Sequence, residues 1–142
     1  PVTDLAWMLT FRAGMRWQEK TRLLEHCPAP EVVQAVAGRC RLIISSRLHL
    51  LFLASNANTP FLGISRGSKI DNFLAEFGLR PIGSVDRCES ARLTAAVEKA
   101  LQAPPEEFRQ LNQAVRNRLE QRLRAAAAFV QKAVAATTET MG

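Results

Sequence analysis

Two short apolar runs, Leu42-Ile43-Ile44 and Phe61-Leu62-Gly63-Ile64, bracket one apolar helical segment around Leu50-Leu51-Phe52-Leu53, and this order constrains the fold more than any other feature of the chain. A continuous apolar run, unlike an alternating one, fits a strand covered by helices on both faces. Strand, helix and strand at this spacing require a parallel pair joined by a right-handed crossover. The spacing therefore predicts a strand over 41–45 and a helix N-capped by Ser46, buried on nearly all sides until Asn56-Ala57-Asn58 ends it. A second strand follows over 61–64. The fold class is α/β, a parallel sheet lying between helices with a long C-terminal helix.

The flanking segments extend the pattern. Pro30 suits a first helical position and Gly38 a left-handed stop, so 30–37 reads as a short helix with Val32, Val33 and Val36 on its apolar face. Ser68, with Asp71 three residues on, has the form of a capping box, and Ile70, Phe73, Leu74 and Phe77 supply a core face up to Gly78. Pro81 to Val85 fits a further short strand, and Asp86 with Glu89 a second capping box opening a helix that runs to about Leu101. After Pro104-Pro105, Phe108, Leu111, Val115, Leu119, Leu123, Ala126 and Val130 recur every three or four positions, which predicts one long helix over 104–136, fraying beyond Thr137. Upstream, Met15, Trp17 and Leu23-Leu24 are placed along one side of a helix ending near Cys27-Pro28-Ala29-Pro30.

A length of 142 residues suffices for one domain with a core and falls short of two, so 1–142 reads as a single α/β domain. The chain starts at Pro1 without an initiator Met or an apolar leader, which suggests a fragment or processed product of a larger protein. No apolar run approaches the ~20 residues of a membrane span. Cys27, Cys40 and Cys88 are odd in number and lack paired spacing, which favours neither a disulfide framework nor a zinc site and points to a reducing cytoplasm. His26 beside Cys27 suits a partner of a helix C-terminus better than a metal ligand.

The net charge of +6 suits an anionic partner. Its basic residues are dispersed and no stacking aromatics interleave them, so nucleic acid is set aside. Arg116, Arg118, Arg122 and Arg124 form either a solvated face of the last helix or a basic surface for peripheral contact with anionic lipid or a partner.

Chemistry concentrates at the two strand-to-helix turns. Arg47 and His49 fall in the first turn of the helix after the first strand, where unpaired amides and the positive end of the helix dipole favour a phosphate or carboxylate. Arg47 would clamp such a group in two-pronged fashion, and an imidazole there can exchange a proton near neutral pH. The loop Ser65-Arg66-Gly67-Ser68-Lys69 emerges at the same edge of the sheet, so two loops can share one anion. Both sets of residues also suit plain structural duties: an ion pair at Arg47, a partly buried His49, a capping Ser68, solvated Arg66 and Lys69. No nucleophile elbow or phosphate-cradling glycine motif is present, which excludes common hydrolase and P-loop chemistries.

The blocks Ser46-Arg47-Leu48-His49, Thr59-Pro60-Phe61-Leu62-Gly63-Ile64-Ser65, Lys69-Ile70-Asp71-Asn72-Phe73-Leu74 and Phe77-Gly78-Leu79 resemble the C-terminal half of the polysaccharide pyruvyl transferase family, most strongly over residues 30–80. The resemblance implies the second Rossmann-like domain of a two-domain, glycosyltransferase-B-type enzyme whose N-terminal domain lies outside this chain. Such enzymes move the enolpyruvyl unit of phosphoenolpyruvate onto a glycan or lipid-linked sugar acceptor as a pyruvate ketal. By resemblance Arg47 binds the phosphate or carboxylate of phosphoenolpyruvate and His49 protonates its methylene carbon. Lys69 assists the same anion, while Ser46, Ser65 and Ser68 belong to substrate binding. Neither metal nor cofactor is implied beyond the donor substrate itself, and the location implied is cytoplasmic, at most at the inner face of the membrane. Where family members carry an aromatic residue after the glycine-isoleucine strand, this chain has Ser65-Arg66-Gly67. A non-catalytic phosphate- or nucleotide-sugar-binding module of the same fold needs Arg47 and the helix amides but not the proton chemistry of His49.

Overall fold

The computed structural model describes residues 4–24 and 29–140. Its elements run α1 (Asp4–Ala13), a 3-10 turn (Gln18–Lys20), α2 (Pro30–Ala37), β1 (Ile43–Ser45), α3 (Leu48–Asn56), β2 (Phe61–Gly63), α4 (Ser68–Glu76), α5 (Ser90–Gln102) and α6 (Pro105–Thr140). Helices take 65% of the described residues, so the sheet is a small platform and the helices laid on it supply most of the core. His26 and Cys27 lie outside the described residues.

β1 and β2 are parallel, with Ile43 beside Phe61, Ile44 beside Leu62 and Ser45 beside Gly63. Pairing starts one residue early, where the Ile43 amide donates to Pro60 O at 2.9 Å, and continues one residue late, where the Ile64 amide donates to Ser45 O at 3.0 Å. The predicted segment Pro81 to Val85 does lie on the far side of β2, but it forms a single parallel bridge, Ser65 to Ser84, and no full strand. The Ile82 and Val85 amides nevertheless donate to Gly63 O and Ser65 O, each at 2.9 Å. Pro81 has no amide to donate, and it stands where pairing would have to begin.

One face of the sheet is covered by α3, α4 and α6. Leu51 and Ala54 of α3, Phe61 of β2, Ile70 and Leu74 of α4, Phe77, and Val115 of α6 form one buried cluster. Phe61 is its hub, with ring centroids 5.0 Å from Phe77, 5.2 Å from Phe108 and 5.6 Å from Phe73. Burial of each such side chain stabilises by about 1.5–3 kcal/mol, and edge-to-face ring pairs add about 0.5–1.5 kcal/mol. The opposite face carries Ile44, 41% exposed. That face is the less covered of the two, although Leu62 on it is half-buried and lines a groove with Ala96 and Ala100 of α5.

α6 is held at its first half by Asn112, fully buried. Asn112 Oδ1 accepts from Ser55 Oγ at 2.7 Å, and its Nδ2 donates to Ser55 O at 2.8 Å and Asn58 Oδ1 at 2.7 Å. Three of the four hydrogen bonds its side-chain amide can make go to the end of α3 and the turn after it, so the register of the two helices is fixed by polar matching as well as by Val115. Asn58, at φ 55°, makes the turn that the Asn56-Ala57-Asn58 stop predicts. Further along α6 the predicted apolar stripe persists in sequence but loses its cover: Leu119 is 39%, Val130 57% and Leu123 70% exposed.

Several local expectations are corrected. Gly38 closes α2 in the right-handed region, φ −65°, and not the left-handed one. Arg41 and Leu42 precede β1, which is shorter than 41–45. Upstream, the helix is Asp4–Ala13; Met15 and Trp17 sit in the turns after it and Leu23-Leu24 in extended chain, because Gly14 breaks the run before they are reached. Asp86 lies in the turn before α5, whose N-cap is Glu89 without a side-chain cap bond.

Candidate anion-binding cleft

β1 ends on Ser45, which is 7% exposed. Its Oγ accepts from the Arg47 amide at 2.9 Å and donates back to Arg47 O at 3.2 Å. That local closure turns the chain sharply out of the sheet and sets Arg47 at the N-cap of α3 with extended backbone. Ser46, the predicted cap, is passed over by one residue; Ser45 does the hydrogen bonding.

β2 leaves the sheet through Ile64 and Ser65. The Ser65 amide donates to Gly83 O at 2.8 Å, and Ser65 Oγ accepts weakly from the Gly67 amide at 3.4 Å. Gly67 then takes φ +138°, a conformation that L side chains rarely adopt, and becomes the N-cap of α4. Ser68 is consequently the first helical residue and caps nothing. Asp71 Oδ1 is buried without a hydrogen-bond partner, so the reciprocal bond of a capping box is not made.

The two turns face each other across an open cleft of about 430 Å³. Ser46 and Arg47 form one wall, Arg66, Gly67, Ser68 and Lys69 the other, and Leu48 and Ile70 add apolar surface. Three cationic residues and, among the described residues, no acidic one line the space. Both α3 and α4 begin there without a side-chain cap bond, so their first amides and about half a positive charge at each helix start face the same volume. Cations, oriented amides and hydroxyls at the C-terminal ends of parallel strands suit a phosphate or carboxylate ligand.

Of the residues singled out in the sequence, Ser46, Arg47, Ser68 and Lys69 are brought to this cleft. Ser65 lies just behind it as a support of the loop. His49, the second residue of α3, is exposed and does not line the cleft. Arg66 was visible only as one member of a basic loop; the structure sets it among the lining residues. Gly67 carried a legible signal, a glycine directly before an apolar period of helical spacing, whereas the part played by Ser45 depends on a one-residue phase that Ser46 satisfies equally well in sequence.

Two arginines of the basic set on the last helix are engaged. Arg122 and Arg118 reach Glu76 at the end of α4, at 2.8 Å to Oε1 and 3.0 Å to Oε2, and Arg118 also donates to the Glu76 backbone oxygen. Their hydrogen bonds, that of Arg122 foremost, hold the Glu76 carboxyl below its usual range. Among the described residues no three His, Cys, Asp or Glu side chains group to hold a metal, and no helix is long and apolar enough to cross a membrane. Comparison of the chain with protein-family models, with curated proteins and with solved structures gives no match.

Proposed function

We propose that this chain is the phosphoenolpyruvate-binding, C-terminal domain of a polysaccharide pyruvyl transferase with a glycosyltransferase-B-type fold. The observation that carries the reading is the convergence of Arg47, Arg66 and Lys69 with two uncapped helix starts on one cleft. Phosphoenolpyruvate presents a phosphate and a carboxylate on one three-carbon unit, and three cationic residues lining one cleft match that charge. In the reaction, His49 gives a proton to the methylene carbon, C2 acquires oxocarbenium character, and one sugar hydroxyl adds to C2. The C2–O bond to phosphate then breaks, inorganic phosphate leaves, and a second hydroxyl closes the ketal; of the two hydroxyl protons released, one restores His49 and the other departs with phosphate. Arg47, Arg66 and Lys69 stabilise the charge that builds on the departing phosphate. The exposed His49 faces the acceptor and the N-terminal domain in this reading, and the enzyme works in the cytoplasm on a glycan or lipid-linked sugar.

The position of His49 outside the cleft lining favours a second reading, a phosphate- or nucleotide-sugar-binding module without proton chemistry. His49→Gln separates the two. In the two-domain protein the transferase reading predicts loss of turnover with donor affinity retained; turnover equal to the parent assigns the chain to binding alone.

A further inference from the structure

α1 and the chain that returns beside it carry an unusual amount of exposed apolar surface. Leu5, Met8 and Leu9 are exposed, with Trp7 65% and Phe11 73% accessible; in the turns beyond, Trp17 is 54% accessible. Arg12 Nε donates to Thr21 Oγ1 at 3.1 Å, which folds Thr21, Arg22 and Leu23 back along the helix. Between the two lies an open groove of about 560 Å³, walled mainly by Trp7, Met8, Phe11, Met15 and Leu23, with Arg12 and Arg22 among its lining residues. A contiguous patch of this kind marks a contact surface.

The charges say which contact. From Asp4 to Leu24 the chain holds Arg12, Arg16, Lys20 and Arg22 against the acids Asp4 and Glu19. Arg16 and Lys20 stand over the Trp17 ring, 4.9 and 5.4 Å from its centroid. An indole bearing two cations, beside an apolar groove with arginines, matches the lipid–water boundary: rings at headgroup depth, apolar groups toward the acyl chains, cations on the phosphates. The basic face of α6 is a poorer candidate, since Arg118 and Arg122 are committed to Glu76. We propose that the N-terminal unit, α1 with its return through Leu24, docks on an anionic phospholipid surface. This does not rest on the transferase reading.

Trp7 and Trp17 are the two tryptophans of the chain, so intrinsic fluorescence reports the patch directly. The full chain is mixed with vesicles of phosphatidylcholine alone and of phosphatidylcholine with phosphatidylglycerol, and sedimented. Emission should shift to the blue and the chain should pellet with the anionic vesicles only, both effects falling with added salt. Arg16→Glu with Lys20→Glu should weaken binding about thirtyfold or more, each basic residue near an anionic surface contributing roughly fivefold. Trp7→Ser with Phe11→Ser, at exposed positions whose fold circular dichroism can verify, should abolish it. Absence of binding to either vesicle, or equal binding to both, overturns the proposal. A concentration-dependent dimer in vesicle-free solution, dispersed by the Trp7→Ser and Phe11→Ser pair, assigns the patch to a second copy and overturns it too.

Discussion

A Cβ on Gly63 would stand 2.5 Å from Leu74 Cδ1, 3.0 Å from its Cδ2 and 3.1 Å from its Cγ, with Leu74 fully buried. Gly63→Ala should therefore cost about 1–3 kcal/mol, the usual penalty for overpacking, seen as a lower urea midpoint; an unchanged midpoint contradicts the packing of α4 on β2. Asn112→Ala strips partners from Ser55 O, Ser55 Oγ and Asn58 Oδ1 together and should cost about 2–4 kcal/mol in the same experiment. Arg47→Ala should weaken binding of phosphoenolpyruvate about 10- to 100-fold, the range for a hydrogen bond to a charged group, measured by calorimetric titration. At this scale the sequence was informative about chemistry and poor about phase. Arg47 and Lys69 could be chosen because cations beside predicted helix starts are few, whereas Ser45 and Ser46 differ only in which side chain turns inward. Asn112 left no signal, because a buried amide on a helix otherwise read as amphipathic is recognised only from its partners on α3.

α4 and α6 are the elements most dependent on one another. Glu76 closes α4, and its carboxyl and backbone oxygen receive Arg118 and Arg122 across forty-odd residues of chain. Because the folded carboxyl titrates below its ordinary value, chiefly through Arg122, this link contributes fully above the unfolded carboxylate range. It is lost as pH falls through the lowered value. Melting temperatures recorded on the acid side should converge for the parent and Glu76→Gln, and separate as pH rises to neutrality; parallel curves contradict the link. Gly78, at φ +66° after α4, was legible as a stop, and so was the helix from Ser68. The apolar period of α6 predicted its length well but not its contacts. Periodicity reports which face is apolar, and beyond Leu119 that face continues without anything from the described chain laid on it.

For the whole molecule, the β–α–β order was legible because strand and helix runs of those lengths admit one parallel crossover. The uneven cover of the two sheet faces was not, since the cover of a face is decided by residues far away in sequence. The net charge of +6 acquires a location in the fold: part of it converges on the cleft and part surrounds the apolar patch of α1. The central claim is that two loops, eighteen or more residues apart in the chain, hold one anion. Amide NMR titration with phosphoenolpyruvate, run beside inorganic phosphate and beside Arg47→Ala, tests it most directly. Concerted shifts are expected at Ser46 and Arg47 and at Gly67, Ser68 and Lys69, sharing one binding curve, weaker with phosphate and lost in the variant. Shifts confined to one loop, shifts that survive in Arg47→Ala, or an unchanged spectrum contradict it.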